Sequence, residues 1–397
     1  MLYTFQDAIF HILDFCGADA SAKAIRTARL AAKDALRELH TATQWSYLYT
    51  LGRLVTSAPY NTGTISYDHT GNGAGERVVL LTGGTFPTWA LYGTVVIANV
   101  MYDVEKRISG TTLQLTEASN PGADVAASTT YSLFRDQYQL AENFRSTFNL
   151  HESSTHQTME FVHPKDWNAA RTRLGGNSTG TPYIFTITGD PHRPNRLVLR
   201  TYPYPTEALN YDHIYMRKPG DLNIFEYKTG TVSTTATSAT LTGIGTSWNS
   251  TYEGIALRIS ATDTTIASGV AETGPYGFDR NAYYIHETIV DSVTNATTLV
   301  MKDVATETLS SVRYVLSDIV DIEGEAMLIA FQRLCEKHVA IKNNMEGKGD
   351  YLALARQALK QAMEADVRAH SLRSRRDSVP YRSREWDVHA PLGGDVT

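Results

Sequence analysis

Four groups of residues in this chain have types that could do chemistry. His151-Glu152-Ser153-Ser154-Thr155-His156 places a carboxylate between two imidazoles. A zinc hydrolase helix uses histidines four residues apart, because that spacing puts both on one helical face with the glutamate as base. Here the histidines are five apart, and the spacing speaks against a metal site. Gly71, Gly73 and Gly75 alternate as in a phosphate-cradling loop, but the spacer before the last glycine is missing and no helical pattern follows, so they read as a hairpin loop. Asp318, Asp321, Glu323 and Glu325 could supply the carboxylate pair of a glycosidase. Their place at the start of a helix instead makes them partners of its N-terminal dipole. Tyr202, Tyr204, Tyr211, Tyr215 and Tyr227 crowd one segment of a chain with 22 tyrosines, which suits a protein interface, or carbohydrate stacking as the alternative. No Gly-Lys-Ser/Thr phosphate loop occurs. The expectation is a non-enzyme with no catalytic residue, metal or cofactor.

The elements around these residues carry more information. Two stretches read as copies of one β unit. The first runs Gly63-Thr64-Ile65, Val78 to Gly83, Trp89, Gly93 to Ile97, Thr111 to Leu115 and Tyr131-Ser132-Leu133. The second keeps that order with Gly230-Thr231-Val232, Ala239 to Gly243, Trp248, Gly254 to Ile259, Thr297 to Met301 and Tyr314-Val315-Leu316. Short β-branched runs between glycine turns describe small sheets, each with a core centred on its tryptophan, Trp89 or Trp248. The second copy carries extra residues around Ala261 to Asn281, which belong in a loop.

Helical patterns flank these units. Thr4 with Asp7 forms a capping box, Ala8, Ile9, Ile12 and Leu13 make one apolar face, and Gly17 suits a helix end. A second helix from Asp19 or Ser21 buries Ile25, Ala28, Ala32, Ala35, Leu36 and Leu39, with Lys23, Arg26, Arg29, Lys33 and Arg37 on the rest. It ends at Trp45, Tyr47 and Tyr49. Helix returns after Ile322 with Met327, Ala330, Phe331 and Leu334, and again with Leu352, Ala355, Leu359 and Met363. Between the β units, Pro182 to Ile187 and Arg196 to Arg200 read as a hairpin, and prolines at 182, 191, 194, 203 and 205 argue against long central strands.

The predicted class is therefore α+β: a helical bundle formed by N- and C-terminal helices, with two similar small β modules and a central β segment inserted. The predicted boundaries are 1–57 for N-terminal helices, 58–136 for the first module, 137–228 for the central segment, 229–320 for the second module, 321–370 for C-terminal helices, and 371–397 for an extended docking arm. That arm carries Arg373, Arg375, Arg376, Tyr381, Arg382, Arg384 and Trp386. The formal net charge of −6 excludes a generally basic nucleic-acid binder. The 20% charged residues hint at subunit contacts. Cys16 and Cys335, the only cysteines, fall in apolar helical patterns and predict free buried thiols and assembly in a reducing cytoplasm. No signal peptide or membrane span is read.

This layout resembles the head-to-tail adaptor proteins of short-tailed bacteriophages, the tail tubular protein A type. The resemblance rests on the helical pair from Ala24 to Tyr49 with Trp45. It rests also on Gly230-Thr231-Val232, Thr240 to Gly243, Gly245 to Trp248, Tyr284-Ile285 and Thr298-Leu299-Val300, followed by Tyr314 and Asp318. It implies a virion protein assembled in the host cytoplasm: a dodecameric ring that joins the portal protein to the tail nozzle or tail fibre proteins. DNA would pass through its lumen without sequence specificity, and no membrane is involved. The alternatives are a tail nozzle or tube component, or a glycan-binding virion module.

Overall fold

The computed structural model describes residues 2–17, 21–71, 75–153, 157–176, 178–260 and 284–385, with the backbone alone at 148, 149 and 370–385. It overturns the α+β reading of a helical bundle with small β modules. The protein is mostly β, with three curled seven-stranded sheets, each a half-barrel, and is 28% helical with five helices among the described residues. The reason is physical. The helical stripes are long and periodic, whereas most strands here have only four to six residues, and one sheet is closed by segments as remote in sequence as 49–55 and 210–216.

Two compact units emerge. The unit formed by Leu48–Lys218 interrupts the other, which comprises residues up to Tyr47 and those from Pro219 onward.

Within the interrupting unit, the central sheet holds β1 (Tyr49–Val55), β9 (Gln137–Gln139), β10 (Phe144–Glu152), β11 (Thr158–Phe161), β12 (Ile184–Gly189), β13 (Leu197–Tyr202) and β14 (Asn210–Arg217). Their order is β1-β14-β10-β11-β12-β13-β9. Only β11 and β12 run parallel in this sheet, and the crossover that a parallel pair needs carries helix α3 (Trp167–Arg173). The hairpin expected near 182–200 is β12 with β13, Thr186 facing Arg200. The prolines that spoke against strands bracket them: Pro182 precedes β12, Pro191 and Pro194 lie in its turn, and Pro203 and Pro205 follow β13. Segment 49–55, expected to close the N-terminal helices, instead pairs along its length with β14, from Tyr49↔Met216 to Val55↔Asn210.

The first module in this unit is β2 (Thr64–Asp68), β3 (Val78–Thr82), β4 (Gly93–Ile97), β5 (Val100–Arg107), β6 (Thr112–Leu115), β7 (Val125–Thr129) and β8 (Tyr131–Arg135), ordered β7-β2-β3-β6-β5-β4-β8. Inward residues alternate with outward ones, so Ile65, Tyr67, Val79, Val95, Ile97, Leu113 and Leu133 share one core.

The other unit holds the second module: β15 (Thr231–Thr234), β16 (Thr240–Ile244), β17 (Ala256–Ser260), β18 (Tyr284–Asn295), β19 (Thr298–Met301), β20 (Leu309–Val312) and β21 (Tyr314–Ser317). Its order is β20-β15-β16-β19-β18-β17-β21. Helix α1 (Phe5–Cys16) starts at the Thr4–Asp7 capping box and stops at Gly17, whose φ is 54°. Helix α2 (Ala22–Ala42) packs with α4 (Glu325–Lys342), and α4 packs with α5 (Lys348–Glu385). Polar contacts tie α2 to α4: Glu38 receives Lys337 Nζ at 2.6 Å and His338 Nε2 at 2.7 Å, and Asp34 receives Lys342 at 2.7 Å. Helix α5 runs unbroken to Glu385, where an extended arm was expected from 371. Arg373, Arg375, Arg376, Tyr381, Arg382 and Arg384 therefore belong to a helical backbone. Trp386 and the rest of the tail lie outside the described residues, as do residues 261–283.

Candidate functional site

The residues singled out for chemistry do not converge. His151 and Glu152 are neighbours on strand β10, so their side chains leave opposite faces. His151 is exposed and bonds Thr158 Oγ1 through Nδ1 at 2.9 Å, Glu152 is buried, and His156 lies outside the described residues. Gly71 and Gly75 occupy the β2–β3 hairpin with φ of 84° and 98°, and Gly73 lies outside the described residues.

Only Glu325 of the four carboxylates lies within α4, at its first position. Asp318 instead ends β21, buried, accepting the backbone N–H groups of Asn223 and, at 2.6 Å, Ile224. Burial pushes its carboxyl up in spite of those donors. Asp321 accepts from the Gly220 backbone at 3.0 Å. These two are latches for the returning chain, a role without a sequence signature.

Tyr202, Tyr204 and Tyr211 are core residues, 0%, 2% and 1% exposed. Arg171 donates to Tyr204 Oη at 2.6 Å and stacks over both Tyr202 and Tyr204. A strand-dense segment needs large side chains to fill its interior, which is why tyrosines that looked like surface residues are inside. Cys16 and Cys335 are free thiols, Cys16 half-buried and Cys335 buried. Among the described residues no cluster of three or more His, Cys, Asp or Glu could hold a metal ion.

What the fold does bring together is a matched pair of docking faces. Taken in chain order, β2 to β8 and β15 to β21 occupy the same places in their sheets. The match extends to single atoms. Tyr60 bridges Leu133 as Tyr227 bridges Leu316. Tyr131 Oη donates to the Thr62 carbonyl at 3.0 Å, and Tyr314 Oη to the Thr229 carbonyl at 2.7 Å. Tyr60 Oη accepts from the Thr85 backbone at 3.0 Å, and Tyr227 Oη from Ser247 at 2.8 Å. Each copy turns on a glycine pair in the left-handed region, Gly63 with Gly83 and Gly230 with Gly245. A Cβ on Gly63 would overlap the Thr82 carbonyl oxygen, and one on Gly230 the Ile244 carbonyl oxygen.

These anchors shift the tryptophan correspondence. Three residues after Gly245 comes Trp248, 3% exposed, with its ring edge-on to Tyr314 at 5.7 Å and Nε1 donating to that hydroxyl at 3.1 Å. Three residues after Gly83 comes Phe86, 1% exposed, edge-on to Tyr131 at 6.0 Å. Trp89 is only partly buried against the first core. The insertion also has a place. In the first module β4 turns into β5 through Ala98 and Asn99, both at positive φ, as a two-residue hairpin requires. In the second module the chain between β17 and β18 is longer, and its residues 261–283 lie outside the described residues.

With the register fixed, Val96 corresponds to Arg258, Met101 to Glu287 and Phe134 to Ser317. All face away from their own module's core and onto its neighbour. In the first module Val96, Met101 and Phe134 pack against Trp167, Ala170, Ile184, Tyr202 and Tyr204 of α3 and the central sheet. At these three positions the second module is polar instead. Arg258, its side chain 4% exposed, grips Asp7 at 2.8 Å through both Nη atoms and Glu287 at 3.0 Å through Nε. It also donates to the Leu2 carbonyl at 2.8 Å and Thr4 Oγ1 at 3.4 Å, so all five guanidinium donors are used. Burial opposes the charge, but the two carboxylates outweigh it and hold the guanidinium proton tighter than usual. Gln6 N–H donates to Ser317 Oγ at 3.1 Å. One sheet face thus serves two copies with two chemistries.

No protein-family model matches the chain, and no curated protein matches it either.

Proposed function

We propose that this chain is a structural virion protein, a head-to-tail adaptor whose copies close into a ring between portal and tail and leave a channel for DNA. The observation that carries the reading is the pair of seven-stranded modules with one strand order, each seated by the same face on its own support. Such repeats multiply presented surface, and heterologous contacts between unlike surfaces build a ring where their rotation closes. Of the five tyrosines behind the glycan-binding alternative, Tyr202, Tyr204 and Tyr211 are interior, and Tyr215 and Tyr227 are half-buried. The nozzle alternative differs from the adaptor in its partner.

The test is negative-stain microscopy with sedimentation velocity on the full chain, alone and mixed with portal. The adaptor reading expects ring particles of about twelve times the 43.9 kDa protomer mass that cap portal assemblies. Protomers that stay monomeric with portal present would sink it, and rings that bind an adaptor but not a portal would move the chain to the nozzle.

A further inference from the structure

One face of α2 carries a row of cations. At 3.6 residues per turn, Lys23, Arg26, Arg29, Lys33 and Arg37 fall within about 120° of arc and run for about 21 Å along the helix. The opposite arc holds Ala28, Ala31, Ala32, Ala35 and Leu39, all buried. The carboxylates of α2 sit between the two arcs, and both are engaged by α4. Glu38 is bound by Lys337 and His338; burial raises its carboxyl, but those two donors bring it below its ordinary range. Asp34 is held down chiefly by the Lys342 hydrogen bond. Among the described residues Arg37 alone of the five forms a salt bridge, to Asp34 at 3.5 Å with its side chain 75% exposed, while the charge of Lys33 acts on the buried Asp318 carboxyl. Arg29 donates to the Asn223 carbonyl at 3.4 Å. Lys23, Arg26 and Lys33 have no ion-pair partner among the described residues.

Beside this stripe lies a groove of about 280 Å³ between α2 and the loop from Pro219 to Asn223, walled by Lys33, Arg37 and His40 on one side. Asp221 on the loop is the one carboxylate that lines it. A chain of net charge −6 that gathers five cations on one helix face has built a local attraction for a polyanion against its own overall repulsion.

We propose that this face of α2 contacts the phosphate backbone of duplex DNA. Taking DNA as the polyanion rests on the adaptor reading; the cationic face does not. The cations are spaced along a helix and not clustered at a point, which suits a ladder of phosphates better than a single anion. A 21 Å stripe runs beside the rise of about six base pairs at 3.4 Å each. Contacts of this kind carry no base information, so binding is independent of sequence and steeply salt-dependent.

The test measures binding of a fluorescein-labelled duplex of mixed sequence to the full chain by anisotropy across a salt series. Arg26→Ala, Lys33→Ala and Arg37→Ala together should weaken binding and lower the slope of log K against log salt by about 2–3, at roughly 0.9 for each phosphate no longer neutralised. The matching variant with Arg26→Lys and Arg37→Lys should keep the slope, and unchanged circular dichroism separates weakened binding from a damaged fold. A wild-type chain that ignores the duplex, or a triple variant with an unaltered slope, would overturn the proposal. So would polyglutamate that displaces the duplex at lower concentration than unlabelled DNA, which would assign the face to an acidic protein. Particle mass read on the same samples keeps the two readings apart. Rings that form but never bind the duplex sink this inference alone. Protomers that bind it without forming rings sink the adaptor reading alone.

Discussion

Replacing Arg258 by methionine keeps most of the stem volume and removes the charge that holds Asp7 and Glu287 together. The guanidinium makes five hydrogen bonds in a site where its side chain is 4% exposed. Breaking a buried ion pair from one side costs about 3–5 kcal/mol, most of it for the stranded partner. Asp7 and Glu287 keep 30% and 23% exposure and can relax toward water, so the loss should fall at the lower end, about 3 kcal/mol. The readout is urea unfolding followed by the emission of Trp248, which shares a core with Leu257 and Ile259 on the same strand as Arg258. The first module supplies a control, because Val96 and Met101 fill the corresponding positions without charge. Arg258→Val with Glu287→Met and Asp7→Asn should cost less than the single change, since no carboxylate is left stranded and the Asn side-chain oxygen can still accept the Thr4 N–H of the capping box. A single substitution costing under about 1 kcal/mol, or a combined one no milder than the single, would show that the clamp does not seat the module.

Three further outcomes are expected. Phe86→Ala should destabilise the first module by about 3–5 kcal/mol, as Trp248→Ala should the second, whereas Trp89→Ala should cost far less. Denaturation of the three variants decides this, and a Trp89→Ala loss equal to that of Phe86→Ala would reverse the correspondence. Gly63→Ala and Gly230→Ala should each cost more than about 2 kcal/mol, since left-handed strain is added to overlap with a carbonyl; loss of soluble protein or a lowered melting temperature reports it, and neutral variants would remove the paired-turn assignment. Asp136 is buried, with Thr94 Oγ1 3.4 Å from its carboxylate, and burial raises its pKa from 3.8 to about 6. A folded pKa above the unfolded one means its contribution is full below about pH 4 and is lost as pH rises through 6. Asp136→Asn should therefore gain on the wild type by about 2 kcal/mol between pH 4 and pH 8, and equal pH profiles for the two proteins would contradict it.

The repeat was readable because its anchors are local. Gly63 and Gly230, Tyr131 and Tyr314, and the Thr-Leu runs of β6 and β19 follow from backbone conformation and pairing within a few dozen residues. The correspondence between Trp89 and Trp248 failed because it matched residue type where the structure matches distance from a glycine turn. The central sheet was hidden for another reason. Arg53 faces Asp212 across the β1–β14 ladder, and nothing near either residue announces a partner so remote in sequence. Once that sheet is missing, its apolar and aromatic residues have no core to belong to, and Tyr202, Tyr204 and Tyr211 pass for surface. The class error has the same origin, since α2 and α4 state their periodicity over about twenty residues each and a four-residue strand states almost nothing.

Two copies of one module in a single chain pose a folding hazard, because each support could in principle receive either copy. The chemistry of the docking face removes the ambiguity. Arg258 set against Trp167, Tyr202 and Tyr204 would keep Glu287 of its own sheet but leave Asp7, Thr4 and the Leu2 carbonyl behind, and the donors that served them would face apolar side chains. Val96 set against the start of α1 would strand Asp7 and leave the Leu2 carbonyl without its donor. Each wrong seating loses a buried charge-assisted network worth several kcal/mol, while each right one loses nothing. A buried ion pair adds little net stability over a well-packed apolar contact of the same shape. Its effect is on the difference between right and wrong partners. The divergence at these positions is therefore best understood as a means of telling the copies apart, with the strand order, the glycine turns and the hydrogen bonds of Tyr60 and Tyr131 or Tyr227 and Tyr314, which have no such task, left alike.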